Sequence, residues 1–576
     1  MNLNFICRVG RLAVIGAILL ASASCIRINE EIGQNLIPTD QKWDVFPQEA
    51  VVLEDIMLQM ADSLSGYSTS RITFGSVNDG SVLGTTHKTS SITLVPVLDT
   101  LDFGKNTKIR RFHFTAVRDT LSTVNDNDQR ILQNIYVSEL KKPLDSTILY
   151  TNAFSDPKVL NEFVNLDNRV TAGIPVYSGG DSLSFDFSHE FAEKFLAQID
   201  KAQKAGDMDS VDHYLNYLPG LYFSTDAPVG VGGRINMFNL CLDNSDGYLK
   251  GNFAELKITA EYEGFDEPVD TSFIFIFGAG DFVKVDDEGY IVYPSQYAFN
   301  ASNHETSKIY QNGVKATDKI YVEGGSGVKP VVKAAGIRNI LEAQIAAAGI
   351  DDISEVVINK ASLILPYDVN GDYSLLEKYP LILSPTVRLH SSEGNYVTYA
   401  GLTDSSISTE NQGNINRSLN MYSPDISHHV QEILKLDKTD SDYEKNISKY
   451  DIWFLIMASE AIEDNTYDAK SEYYNNLYYN SYYNNMMYDP YGYGYGGYGY
   501  GGYGYGGYGG YGGYGSNYYN YAMMAYYSSM YNSSSNTEYT TALDKDRYYN
   551  GVLNGPLSEG AKPQIKITFS APKSAE

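Results

Sequence analysis

The sequence predicts a mainly β protein: two related antiparallel β-sandwiches of jelly-roll-like form, each with a short helix, and a disordered insertion rich in tyrosine and glycine. Three observations carry this. Apolar and polar residues alternate in Leu256-Lys257-Ile258-Thr259 and again in Ile565-Lys566-Ile567-Thr568, so one face of each strand belongs to a core and the other to water. Turns of Gly, Asp and Asn bound such stretches, as expected of antiparallel sheets packed face to face. Finally, four landmarks occur twice in the same order, which is the mark of an internal repeat.

The first landmark is a strand, Lys108 to Val117 in one copy and Val356 to Pro366 in the other; matching Arg110 with Asn359 gives an offset of 359 minus 110, or 249. The second is a helix opened by Ser-His. Ser188 precedes Phe191, Phe195, Leu196 and Ile199, and Ser427 precedes Val430, Ile433 and Leu434, helical spacings behind a serine able to cap the first amides. Their offset is 427 minus 188, or 239. The third is an apolar strand, Leu221 to Phe223 against Ile452 to Phe454, at 452 minus 221, or 231. Matching Leu256 with Ile565 sets the fourth at 565 minus 256, or 309.

The offset shrinks gently and then jumps by 309 minus 231, or 78 residues. Composition identifies the cause. From about Glu463 to Tyr548 the chain is dominated by Tyr, Asn, Gly, Ser and Met, and Tyr491 to Gly515 contains only tyrosine and glycine. The expected organisation is therefore a signal peptide at 1–24, a lipidated tether at 25–50, a first sandwich at 51–270, a second at 271–462 and 549–576, and the insertion at 463–548.

At the N-terminus Arg8 and Arg11 precede the apolar run Leu12 to Ala21, which is shorter than the roughly 20 residues that span a bilayer. Small residues then lead to Cys25, completing the pattern of a cleavable export signal. The segment resembles a bacterial lipoprotein signal, which implies acylation of Cys25 as the mature N-terminus; Ser22 stands where such signals prefer leucine. Glu30 and Glu31 just behind the cysteine are similar to the signal that sends Bacteroidetes lipoproteins to the outer face of their outer membrane. Further matches are Ile32 to Pro38 (IGQNLIP), glycine turns expected at Phe74-Gly75 and Leu83-Gly84-Thr85, and the turn Gly324-Gly325-Ser326-Gly327. A helix with Ile337, Ile340, Leu341 and Ile345 on one face and the strand INKASLILP follow. Together these resemble a family of Bacteroidetes outer-membrane lipoproteins built on a domain of unknown function. The resemblance implies a lipid anchor in the outer membrane and an extracellular position, and it brings no established activity.

Net charge is −28, and −30 once Arg8 and Arg11 leave with the signal, so no nucleic-acid partner is expected. Only Cys7, Cys25 and Cys241 occur, too few for a disulfide framework. None of the histidines has a zinc-binding spacing, and the adjacent His428 and His429 are expected to share the helix-start turn of Ser188-His189. Asp368, Asn370 and Asp372 have the alternate spacing of a calcium loop. Tyr373 and Tyr379 stand where that loop needs glycine and a bidentate glutamate, so a polar turn is expected and no cofactor. Asp243, Asn244, Asp246 and Gly247 form a similar turn. In the insertion Tyr491, Tyr493, Tyr495, Tyr498 and Tyr500 are candidate interaction residues, against a neutral expansion of a tolerated loop. The expected function is that of a non-catalytic, lipid-anchored surface protein that binds a glycan or an outer-membrane protein, or serves as a subunit of an envelope assembly. The alternatives are a glycan hydrolase using carboxylates gathered by the fold, and an adhesive protein acting through the Tyr/Gly tract.

Overall fold

The computed structural model describes residues 43–573 except 79, 120–130, 241–250, 286–290, 306, 370, 391–396, 408–411 and 463–537. Cys25, Cys241, the acidic turn at 243–247 and the tyrosines from Tyr491 to Tyr500 lie outside the described residues.

The chain is mainly β and its sheets are antiparallel. In the first sandwich one sheet includes Arg71–Asn78, Thr85–Ile92, Gln133–Leu140, Leu221–Thr225, Gly232–Asn239 and Ala298–His304. The other runs in the order Ser182–Asp186, Lys105–Val117, Phe253–Glu261, Val269–Phe277, Leu94–Pro96. Ile72, Phe74, Val137 and Phe223 of the former meet Phe112, Phe114, Leu256 and Phe275 of the latter in one core. Phe114 is a hub, with ring centroids 4.7 Å from Phe185, 4.8 Å from Phe277 and 5.5 Å from Phe223. The helix His189–Ala205 lays Phe191, Phe195 and Ile199 on this core, and Phe195 lies 5.0 Å from both Phe112 and Phe275. Ser188 Oγ caps it by accepting from Phe191 N at 3.1 Å, and Gly206 ends it with φ 81°.

The second sandwich repeats this plan. Its sheets are built on the pairs Val357–Pro366 with Gln564–Pro572 and Ile382–His390 with Ile452–Ile462. The equivalence holds residue by residue. Phe112 lies opposite Leu256 and Ala361 opposite Ile567. Phe187 N donates to Phe112 O, and Ile426 N donates to Ala361 O. Ala116 faces Leu183 as Leu365 faces Tyr422, and Arg118 bridges Phe238 as Tyr367 bridges Leu553. All keep 361 minus 112, or 249, on the central strand, and those before the helix keep 426 minus 187, or 239. The closing strand is corrected: Leu256 corresponds to Ile567 and not to Ile565, so the offset is 567 minus 256, or 311. A slip of two residues keeps the same face inward, so alternation could not reveal it.

The chain is shared between the sandwiches differently from the expected boundaries. Val269–Phe277 and Ala298–His304 complete the first sandwich, with Phe275, Ile276, Phe277 and Ala298 in its core. Ile56–Met60, expected in the first, pairs with Val328–Val332 and sends Leu53, Ile56 and Leu58 into the second core. Trp43–Pro47, expected within the tether, pairs with Gln564–Pro572. These completing segments are equivalents: Phe299 stands opposite Ser91 as Met57 stands opposite Val331. The first repeat is thus finished by strands that follow it, whereas the second takes its finishing strands from the N-terminal segment.

Ile462 pairs with Glu538, so residues 463–537 join the two strands of a hairpin. The insertion was expected to reach 548; Glu538–Leu543 is instead a strand of the second sandwich. Gly75, expected in a turn, lies inside Arg71–Asn78 at φ 149°, where a Cβ would sit 2.2 Å from Arg234 O. It serves close strand approach instead. Gly84, at φ 72°, does turn the chain, between Arg71–Asn78 and Thr85–Ile92. Ser427 does not cap its helix. Its Oγ accepts from Ala361 N at 2.8 Å, and the carboxylate of Asp404 takes His428 N at 2.6 Å and His429 N at 3.0 Å.

Candidate binding site

On the outer face of the larger sheet of the first sandwich, Leu140, Ile148, Phe154, Phe163, Tyr222 and Phe299 build a second, smaller apolar cluster. A cavity of about 270 Å³ opens at its edge. Three rings make one wall: Tyr67 stands edge-on to Tyr297 at 6.1 Å and to Phe299 at 5.3 Å. Leu140, Leu144, Leu215 and Pro219 line the remainder, with Ser91, Ile92 and Thr93 contributed by the strand Thr85–Ile92 and the residue after it. Gly66 keeps the wall in place, since a Cβ there would lie 2.2 Å from the Phe299 ring.

Ser91 is the unusual member. It stands directly opposite Phe299, is 3% exposed, and its Oγ has no hydrogen-bond partner. A buried hydroxyl left unpaired costs about 1–3 kcal/mol, a cost that alanine would avoid. Thr93 Oγ1 is engaged, donating to Pro219 O at 3.5 Å. The lining carries no charged side chain among the described residues. Burial pushes the Tyr297 hydroxyl pKa up, so this ring is neutral at physiological pH.

Behind the cavity the two sandwiches meet through buried polar groups. Lys545 Nζ donates to Ser65 O at 2.6 Å and to Tyr67 O, tying the second sandwich to the cavity wall. Lys88, on the same strand as Ser91, reaches the carbonyls of Lys545 and Asp546, both at 2.7 Å. Asp546 accepts from Asn300 Nδ2 at 3.1 Å and from Ser68 Oγ at 3.3 Å, and Arg71 pairs with Asp119 at 3.0 Å. Farther along, Ser302 Oγ meets Ser326 Oγ at 2.8 Å, and His304 Nδ1 meets Glu323 Oε1 at 3.2 Å. Lys329 Nζ donates to the carbonyls of Gly325 at 3.0 Å and Gly327 at 3.1 Å. Burial lowers the Lys88 pKa to about 8 against the pull of Asp546, and lowers that of Lys329 to about 7 against Glu323. For Glu323 burial works upward, but His304 and the Val328 amide outweigh it and hold the carboxyl below its ordinary range.

The residues expected from the sequence lie elsewhere. Asp372 accepts from Ser374 N at 3.1 Å and caps the short helical turn Tyr373–Lys378. Asp368 lies in the loop before it, and Asn370 lies outside the described residues. Among the described residues no group of three or more His, Cys, Asp and Glu side chains is placed to hold a metal. His428 and His429 point apart: His429 is buried with Nε2 at 2.8 Å from Tyr450 O, and burial lowers its pKa to about 4, while His428 faces partly outward. The cavity and the junction were not anticipated. Their available signal is the strand Thr-Thr-His-Lys-Thr-Ser-Ser-Ile, which is polar yet mostly buried.

No family model, curated protein or solved structure matches this chain.

Proposed function

We propose that this protein is a non-catalytic, lipid-anchored outer-membrane lipoprotein that acts at the cell surface as a binding module of an envelope assembly. The observation that carries the binding role is the aromatic cavity with its buried, unpartnered Ser91 hydroxyl. A hydrolase of the two-carboxylate kind needs a pair of acids about 5 to 9.5 Å apart around its substrate. The lining offers hydroxyls and rings instead.

The address rests on the sequence: the basic start, the short apolar run, Cys25, and the acidic pair Glu30-Glu31. Several acyl chains on one cysteine make a durable anchor, because each buried methylene adds about 0.8 kcal/mol. From Cys25 to Trp43 is 43 minus 25, or 18 residues, so the tether holds the second sandwich within roughly 60 Å of the bilayer.

Protease shaving of intact cells, followed by affinity capture of the detergent-extracted protein, tests the reading. Cleavage on whole cells together with a stoichiometric partner is the expected result. Full protection of the protein on intact cells would overturn the surface placement, and release of Cys25-intact protein by a carbonate wash would overturn the anchor.

A further inference from the structure

We infer that the cavity of the first sandwich takes an uncharged phenol ring, the side chain of a tyrosine presented by a polypeptide. This deepens the binding role proposed above and rests on it. Three features of the lining select the ligand. The wall of Tyr67, Tyr297 and Phe299 is set edge to face, an arrangement that a further ring extends. Ser91 belongs to the lining and its Oγ is buried and unpartnered, so a ligand with a hydrogen-bonding group gains a partner there that an acyl chain or a phenyl ring does not. The lining carries no charge among the described residues, so an ionised ligand would lose its hydration without compensation.

Size and polarity complete the selection. At about 270 Å³ the space is just below the usual range of small-molecule pockets, roughly 300–1,000 Å³, and suits one side chain. A pyranose would bury several hydroxyls against Ser91 and Thr93, and Thr93 is already engaged with Pro219 O. A glycan is therefore a poor occupant and a protein partner a good one. Tyrosine is also the ring in supply: residues 491–515 of this chain contain only tyrosine and glycine.

The test titrates the purified protein with N-acetyl-tyrosinamide, N-acetyl-phenylalaninamide and N-acetyl-cyclohexylalaninamide, with binding read by ligand-observed NMR. The tyrosine probe should bind at least fivefold more tightly than the other two. Ser91→Ala should erase that preference, and Leu144→Trp, which fills the space, should abolish binding of all three; thermal melts confirm that each variant is folded. Cyclohexyl or phenyl probes binding as tightly as tyrosine would overturn the phenol assignment and leave the binding cavity standing. Failure of every probe, or binding unaffected by Leu144→Trp, would overturn both. Deleting 491–515 separates two sources of the ring, and either result keeps the assignment: a higher apparent affinity means the chain's own tyrosines compete, an unchanged one means the ring comes from another polypeptide.

Discussion

Lys88 and Lys329 show how much one side chain can hold in place. Each is buried, and each donates to main-chain carbonyls at the junction of the sandwiches. Replacing Lys88 by methionine takes the ammonium donor from those carbonyls and a cation from beside Asp546, which keeps the longer contact to Arg71 at 3.7 Å. The expected loss is about 3 kcal/mol, seen as a lower urea midpoint at unchanged slope. Titration adds a second expectation. Both pKa values fall from 10.5, to about 8 and about 7, because burial disfavours the charged form. Between the folded values and 10.5 the unfolded chain binds more protons, so stability rises with pH across that window and is lowest at its acid end. The urea midpoint should climb between pH 7 and pH 9.5, and Lys329→Met should flatten the climb. Neither lysine was legible beforehand, because sequence shows a charge without showing that the fold closes over it.

Elements were legible where one local rule decides them. The alternation of Leu256, Ile258 and Ala260 fixed a strand with one face inward, and the spacing Phe191, Phe195, Ile199 fixed a helix on a core. Rules that need a distant partner failed. Ser427 has the sequence of a cap, yet its hydroxyl is used by Ala361 N, and Asp404 reaches in from another segment to take the helix amides. Asp404→Ala should therefore cost about 1–2 kcal/mol, whereas Ser427→Ala should leave the helix start intact; hydrogen exchange at Val430 and Gln431 distinguishes the two. Burial raises the Asp404 carboxyl to about 6, so it is ionised, and at its best as a cap, only above that pH. Gly75 misled for the same reason. Its glycine answers Arg234 O on a neighbouring strand, and no local pattern reports that neighbour.

Across the whole molecule the repeat was visible by subtraction, and the cavity was not, because it depends on which segment covers the outer face of a sheet. The boundaries failed at the completing strands. Leu53, Ile56 and Leu58 belong to a core whose other members begin at Ala316. Each fully buried aliphatic side chain contributes about 1.5–3 kcal/mol, so the three together approach the entire stability of an ordinary domain, about 5–15 kcal/mol. A chain beginning at Ser65 should lose the second sandwich and keep the first. Hydrogen exchange should then be fast at Ile452 to Ile456 and slow at Phe112 to Ala116, and a synthetic peptide of residues 43–60 should restore protection at the former.

The ladder between Trp43–Pro47 and Gln564–Pro572 also imposes a timetable. A polypeptide emerges N-terminus first, at about 5–20 residues per second during synthesis, so the strand at Trp43 is made roughly half a minute to two minutes before its partner. The first sandwich has all its strands once His304 has appeared. Its neighbour does not have them until the last residues arrive: Ile56–Met60 waits for Val328–Val332 and Trp43–Pro47 for Gln564–Pro572, and Leu53, Ile56 and Leu58 stay uncovered until that core assembles. Such an edge is what a holdase chaperone recognises and what aggregation exploits. The vulnerable period of this protein is therefore set by the length of the chain between its two ends, and every residue added at 463–537 prolongs it.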